Sequence, residues 1–388
     1  ARSMKVPAVV GLRDATSRLQ SGDWVIVDGY EGLVIVRPSE ETLTRYGKME
    51  LEHKSFEKKL LSNARLPAKT QDGKEIKLLA NIESADEAIS AQETGADGVG
   101  LFRTEFLFLG TSEFPDEEQQ FSVYKKVAEI FKSQPVIIRT LDLGGDKALE
   151  NETYFSEQEA NPFLGFRAIR FCLEHTDIFK NQLRAILRAS AFGNVKVMYP
   201  MISGPEELIR ANILLDEAKE ELRVRGEGFD EEMSVGSMIE IPSAAIIGDL
   251  LAKECDFFSI GTNDLIQYLF AIDRLNDRVA HLYEPTHLGV LRTIKSIIDT
   301  GHSNKIEVGI CGEMAGDPVL VPLLIGLGAD ELSVSPSGIP AVKYLTQNME
   351  FSEAVQLAET ALACSSAKEI YAQAKAFYEK KMGEANSL

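Results

Sequence analysis

The stretch Asp256–Arg274, DFFSIGTNDLIQYLFAIDR, decides how the chain is to be read. Phe257 to Ile260 is a short apolar run, the length of a buried strand rather than of a helix. Gly261-Thr262-Asn263-Asp264 follows at once as a polar turn. LIQYLFAI is then apolar enough for a packed helix or a wall, and the stretch closes on Asp273-Arg274. An amide, a carboxylate and a guanidinium are thereby delivered to one end of one strand.

Working outward, the same kind of strand recurs. Apolar strand candidates are KLLANI (77–82), DGVGLF (97–102), PVIIRTL (135–141), VKVMYPM (195–201), VGSMIEI (235–241), FFSI (257–260), IEVGIC (306–311) and ELSVS (331–335). Helical patterns lie between most of them: Ser84–Thr94, Glu117–Lys132, Asn181–Phe192, Pro205–Val224, Ser243–Lys253, His287–Thr300 and Pro318–Leu327. Ser84 with Glu87 makes a capping box, and Gly95 stands where that helix ends. Eight strands alternating with helices predict an α/β fold, a (β/α)8 TIM barrel over 76–388. An open doubly wound sheet is the competing reading, but no Gly-x-Gly-x-x-Gly turn follows a strand. The tail, Phe351–Lys381, is rich in Ala, Glu and Lys and reads as helix packed outside the barrel.

Before the barrel, the runs WVIV and LVIV are short β-like segments separated by turn signals at Gly22-Asp23 and Asp28-Gly29. They are too few for a core of their own. Glu40–Ala64 reads as a charged linker helix. The domain limits this implies are 1–46, a linker over 47–75, and the barrel. The first residues, ARSMKVPAVV, look like a segment cut from something longer.

With 388 residues, 44% of them hydrophobic, the chain can bury a large core. Its formal charge of −19 argues against a nucleic-acid or anionic-membrane surface. An anionic ligand would have to be met by a local cluster of arginines. No apolar run approaches the roughly 20 residues of a spanning helix. The four cysteines have no metal-like spacing and read as free thiols in a reducing cytoplasm. Cys172, Cys255 and Cys364 are expected to be buried. The five histidines are scattered, which argues against zinc.

In a barrel, chemistry lies at the C-terminal ends of the strands. Those ends carry Arg103, Arg139 with Lys147 shortly after, Glu240, Asn263-Asp264 with Arg274 beyond, and Cys311; Arg167 precedes a strand. A lone arginine there is an ordinary salt-bridge partner. Several together in so acidic a chain point to phosphate and carboxylate oxygens, which guanidinium forks match. Glu240 and Asp264 are the right type for Mg²⁺, which takes one or two carboxylates and completes its octahedron with substrate oxygens and water. The alternative is a pair of salt-bridged carboxylates. A thiol at a strand end can move a proton. The set describes a small, anionic, Mg²⁺-chelating substrate.

Six stretches, in order, resemble the phosphoenolpyruvate-utilising family: GADGVGLFRTEFLF (95–108), RTLDLGGDK (139–147), NPFLGFRAIR (161–170), GSMIEIPSAA (236–245), DFFSIGTNDLIQYLFAIDR (256–274) and GICGEMAGDP (309–318). SIGTNDLIQY followed by AIDR is closer to Enzyme I of the bacterial sugar phosphotransferase system than to pyruvate phosphate dikinase or phosphoenolpyruvate synthase. Residues 1 to about 46 resemble the tail of that family's swivelling phosphohistidine domain, in which a TSH segment shortly before ARSxxIPAVVG carries the phosphorylated histidine. That histidine has no match here, so the resemblance implies a fragment that binds substrate without phosphorylating itself.

By position, the resemblance further implies that Arg103 and Arg139 hold the substrate phosphate with Lys147 and Arg167. Glu240 and Asp264 bind Mg²⁺. Asn263 and Arg274 orient the ends of the substrate, and Cys311 protonates the methylene carbon to give pyruvate. The phosphoryl group then passes to a histidine-containing phosphocarrier protein for sugar uptake. A homodimer through the barrel is implied as well. Leu275 departs from the pattern, which commonly has glycine there. A Mg²⁺-dependent aldolase or lyase acting on a pyruvate enolate, and a module that only senses phosphoenolpyruvate, stand as rival readings.

Overall fold

The computed structural model describes residues 6–12, 14–29, 31–109, 114–143 and 161–386. They form two compact units, Ala1–Arg65 and Leu66–Leu388.

In the first unit a single helical turn, α1 (Ala15–Arg18), precedes an antiparallel hairpin of β1 (Val25–Asp28) and β2 (Leu33–Val36), in register from Val25↔Val36 to Asp28↔Leu33. These are the two β-like runs seen in the sequence. α2 (Glu40–Asn63) follows. Ser39 starts it by accepting the Thr42 N–H, and Glu40 and Glu41 in its first turn complement the helix dipole.

The second unit is a closed barrel of eight parallel strands. The strands are β3 (Lys77–Ile82), β4 (Val99–Phe102), β5 (Val136–Arg139), β6 (Val195–Tyr199), β7 (Val235–Ile239), β8 (Phe257–Ile260), β9 (Glu307–Ile310) and β10 (Glu331–Val334). Each pairs with its neighbours in chain order, and β10 closes onto β3 through Glu331↔Lys77 to Val334↔Ala80. The outer helices are α3 (Ala85–Glu93), α4 (Glu117–Phe131), α5 (Ile169–Glu174), α6 (Thr176–Ser190), α7 (Pro205–Arg225), α8 (Pro242–Ile246), α9 (Gly248–Leu251), α10 (Thr262–Phe270), α11 (Leu288–Ser303), α12 (Glu313–Gly316), α13 (Val321–Leu327), α14 (Ile339–Gln347), α15 (Phe351–Ala363) and α16 (Ala367–Asn386). The expected (β/α)8 barrel is the fold.

Strand alternation splits the core in two. Outward residues such as Leu78, Ile138 and Val197 pack against the helices in one large cluster. Inward residues Leu79, Leu101, Ile137, Met198, Met238, Phe257 and Cys311 fill the barrel as a second, separate cluster. Gly100 has no room for a Cβ, which would lie 2.5 Å from Ser333 Oγ. Among the described residues no helix is long and apolar enough to cross a membrane.

Several elements differ from the sequence expectation. GTND is not a free turn: Thr262 to Asp264 form the first turn of α10, because Leu265 and Ile266 are buried on one face and nothing in the run breaks a helix. The helix expected over 243–253 is two, α8 and α9, broken at Ile247. The tail is also two helices, divided at Cys364–Ser366. α14 was not anticipated; its Pro340 sits in the first turn, where a missing N–H costs nothing. Of the cysteines expected to be buried, Cys172 is, whereas Cys255 and Cys364 are only half-buried. All four thiols are free.

Candidate active site

The C-terminal mouth is built by residues at and just beyond the strand ends. Arg103 follows β4, Arg139 ends β5, Glu240 follows β7, and Cys311 follows β9. Asn263 and Asp264 are in the first turn of α10, Arg274 comes just after that helix, and Arg167 stands just before α5. All eight line one cavity of about 350 Å³. Lys147 lies outside the described residues.

The arginines are not bare. Arg139 donates through Nη2 to Glu105 Oε1 at 2.7 Å and pairs through Nη1 with Asp142 Oδ2 at 3.0 Å. Arg167 donates to Asp142 Oδ1 through Nη2 at 2.7 Å and through Nε at 3.2 Å, and its Nη2 lies 3.5 Å from Asp264 Oδ2. All these side chains are a tenth exposed or less. A chain of alternating charges, Glu105–Arg139–Asp142–Arg167–Asp264, thus crosses the floor of the cavity. Burial alone would lower the pKa of both arginines, but the surrounding carboxylates more than reverse this, so both stay charged. Arg103 and Arg274 are more open. Arg103 Nη1 donates to Glu83 Oε1 at 3.1 Å, and Arg274 Nη1 lies 3.9 Å from Glu313 Oε1.

Glu240 is 2% exposed and accepts the Met201 N–H at 2.7 Å. Burial, then the neighbouring Asp264 and Asp142 carboxylates, push its pKa up to about 8. Asp264 is also buried, and its Oδ1 has no hydrogen-bond partner. A buried carboxylate oxygen without a donor is costly unless a cation meets it. Among the described residues no group of three or more acidic, histidine or cysteine side chains makes a full metal cage. Two carboxylates are nonetheless a sufficient protein share for Mg²⁺.

Positive φ angles fall at Ala168 (52°), beside Arg167, and at Met201 (58°), whose N–H serves Glu240. Strain of this kind gathers where the backbone must aim particular groups. Tyr268, on α10, donates to the Phe163 carbonyl at 2.6 Å and accepts from Arg167 Nη1 at 3.4 Å, which ties the segment before Arg167 to the helix. Asn263 Oδ1 accepts the Glu313 N–H at 2.8 Å, joining the ends of β8 and β9.

Cys311 is 3% exposed, with Sγ 3.6 Å from the Ile260 carbonyl oxygen. Burial pushes its pKa up to about 11, against a lowering contact with Ser259. At neutral pH it is a protonated thiol, suited to giving a proton rather than to attacking.

The structure therefore brings together every described residue singled out at the strand ends. Sequence reasoning had not given roles to Glu83, Glu105, Asp142 or Glu313. They are carboxylates that hold the arginines; the only signal was that Glu105, Asp142 and Glu313 stand inside the RTE, RTLD and CGE stretches and that Glu83 follows the KLLANI strand.

Residues 57–351 match the family described as PEP-utilising enzyme, PEP-binding domain, and residues 1–32 match its mobile domain. The chain is similar to curated proteins called phosphoenolpyruvate-protein phosphotransferase. It is 46% identical to that of Geobacillus stearothermophilus over 371 residues, covering 95% of this chain and 64% of the relative. It is 47% identical to that of Listeria innocua over 376 residues, with the same coverage, and 45% identical to that of Bacillus subtilis over 379 residues, covering 97% and 65%. The chain thus spans slightly less than two-thirds of the length of these relatives. A solved HpcH/HpaI aldolase from Desulfitobacterium hafniense overlaps 72% of the chain and 89% of its own at 14% identity, but its TM-score of 0.38 carries no argument. By the match over its barrel, the chain belongs to the family of PEP-utilising enzymes.

Proposed function

We propose that the cavity binds phosphoenolpyruvate together with Mg²⁺, as part of a phosphoenolpyruvate-protein phosphotransferase. The observation that carries this reading is the charge of the lining: four arginines stand against six acidic side chains, of which Glu240 keeps its proton at neutral pH in the absence of a cation. Arginines on both sides of the mouth suit a ligand with an anion at each end. The excess of carboxylates would repel such a ligand unless a divalent cation came with it.

Arg103 and Arg139 would hold the phosphate, with Arg167 and Lys147 assisting, and Asn263 and Arg274 would orient the two ends. Glu240 and Asp264 would hold Mg²⁺. When bound, the ion offsets negative charge on the phosphoryl and carboxylate oxygens. In the whole protein a histidine nitrogen forms the new bond to phosphorus while the bond to the enol oxygen breaks. The departing electron pair is left on the enolate, and the arginines stabilise the charge spread over the phosphoryl oxygens. Cys311 gives its proton to the methylene carbon, so that the enolate leaves as pyruvate. The phosphohistidine then passes its phosphoryl group to a histidine-containing phosphocarrier protein for sugar uptake. We place the protein in the cytoplasm, where its thiols stay reduced, as a homodimer through the barrel; sedimentation equilibrium tests the latter.

Titration calorimetry with phosphoenolpyruvate, with and without Mg²⁺, tests the reading. Heat of binding is expected only with the metal. Binding that is indifferent to EDTA would overturn the metal assignment, and no binding in either condition would overturn the reading. A Mg²⁺-dependent aldolase would use the same carboxylate pair but has less need of the arginines. For such an enzyme, pyruvate should bind as tightly as phosphoenolpyruvate.

A further inference from the structure

We propose that Glu83 is an internal competitor for the phosphate of the ligand, occupying Arg103 in the free protein and giving way when the anion enters. The proposal rests on the phosphoenolpyruvate reading above and adds a residue that sets its affinity.

The four arginines of the cavity fall into two kinds. Arg139 and Arg167 have side chains 7% exposed and are gripped by carboxylates that are themselves 3–5% exposed. Glu105 is further pinned by accepting the Asp142 N–H at 3.1 Å. Such carboxylates have nowhere to go, and they hold their arginines in place. Arg103 is different. Its side chain is 36% exposed, and it is met at 3.1 Å by Glu83, which is 53% exposed. Both residues line the cavity.

The pairing is not a chance meeting of two long side chains. Glu83 is the first residue beyond β3 and Arg103 the first beyond β4. The Arg103 N–H donates to the Ile82 carbonyl at 2.9 Å, which fixes the two backbones side by side. The Glu83 N–H is held at 2.8 Å by Glu87 Oε2, so the main chain stays while the carboxylate can turn outward into water. A carboxylate and a phosphate recognise the same N–H edge of a guanidinium. Glu83 therefore holds donors that the ligand needs. Because the pair is exposed, exchanging one anion for the other is cheap, and Glu83 tunes affinity rather than abolishing it. It is a positioning residue that acts through Arg103.

The test is calorimetry with Mg²⁺ on wild type and Glu83→Gln, using phosphoenolpyruvate and, separately, oxalate, which has carboxylates but no phosphate. Glu83→Gln is expected to lower Kd for phosphoenolpyruvate by about two- to fivefold, the range of an exposed ion pair. It should leave Kd for oxalate within experimental error. An unchanged or weaker affinity for phosphoenolpyruvate would overturn the proposal. An equal gain for oxalate would overturn it too, since that is the mark of a general field and not of competition at Arg103. Failure of the wild type to bind phosphoenolpyruvate at all would instead be failure of the functional reading.

Discussion

Arg139 Nη2 lies 2.7 Å from Glu105 Oε1, with both side chains almost entirely removed from water. The guanidinium comes from the end of one strand and the carboxylate from just beyond its neighbour, so the contact exists only once β4 and β5 are paired. Its other face is met by Asp142 at 3.0 Å. Glu105→Ala would leave a buried cation with one counter-charge instead of two. Removing one partner of a buried pair costs about 3 kcal/mol or more. The expected result is a loss near that lower bound in urea unfolding, with Glu105→Gln losing less because it keeps an acceptor.

The way this network forms explains how far the sequence could be read. Strands buried on both faces appear as continuous apolar runs, so FFSI, KLLANI and their counterparts could be counted and the barrel inferred. The residues after each run could be named as a set because the fold places strand ends together. Their pairings could not. Asp142 joins Arg139, three residues before it, to Arg167, 25 residues after it, and Glu83 meets Arg103 only because β3 and β4 lie side by side. Local pattern says nothing of which carboxylate reaches which arginine. α10 is not legible for a related reason: over so few apolar residues a buried helix and a buried wall look alike.

Gly326 gives a test of the outer layer. A Cβ there would lie 1.9 Å from the Ala354 carbonyl oxygen, a backbone atom that cannot turn aside. Gly326→Ala must push α13 away from α15. Overpacking of this kind costs about 1–3 kcal/mol. A drop in Tm without loss of ligand binding is expected, because the contact is on the helical shell and not at the mouth. An unchanged Tm would mean that the two helices separate more freely than their packing implies.

At the opposite mouth of the barrel, Glu331 carries a pH dependence. Burial pushes its pKa from the ordinary 4.5 up to about 7, while Lys196 and Lys77 pull it back. The folded state therefore keeps a proton that the unfolded chain releases. Below pH 4.5 the group is protonated in both states and costs nothing. Between about 4.5 and 7 the unfolded chain ionises first, so stability from this group is lost as pH rises, and above 7 the loss is complete. Glu331→Gln removes this slope. In urea unfolding its gain over wild type should be larger at pH 8 than at pH 4.5; an equal difference at both would exclude the shift.

Asp264 should trade stability for function. Its Oδ1 is buried without a partner, and its charge raises the pKa of Glu240. Arg167 keeps both contacts to Asp142 if Asp264 is neutralised. Without metal, Asp264→Asn should therefore unfold at the same temperature as wild type or a higher one. In the same variant, Mg²⁺-dependent binding of phosphoenolpyruvate should weaken at least about tenfold, since losing even an outer-shell partner of a metal costs about that much. A lower Tm together with intact binding would mean that Asp264 is structural.

On the phosphoenolpyruvate reading, Cys311 should separate binding from proton delivery. Its thiol fills the top of the inner barrel cluster and, with its pKa up at about 11, stays protonated through the neutral range. Two consequences follow from one geometry. Alkylation by iodoacetamide should be slow at pH 8 compared with the half-buried Cys364, since reaction requires a thiolate and access. In the full-length protein, Cys311→Ala should bind phosphoenolpyruvate within about twofold of wild type, because the proposed ligand contacts are made by the arginines and the carboxylate pair and not by the thiol. Release of pyruvate should fall by about 10²-fold or more, the usual share of a positioned general acid. Replacing methylene protonation by slow uptake from water should also move the pH profile of pyruvate release. Pyruvate release at the wild-type rate would exclude Cys311 as the acid. Loss of binding in parallel with release would instead make it a packing residue of the barrel.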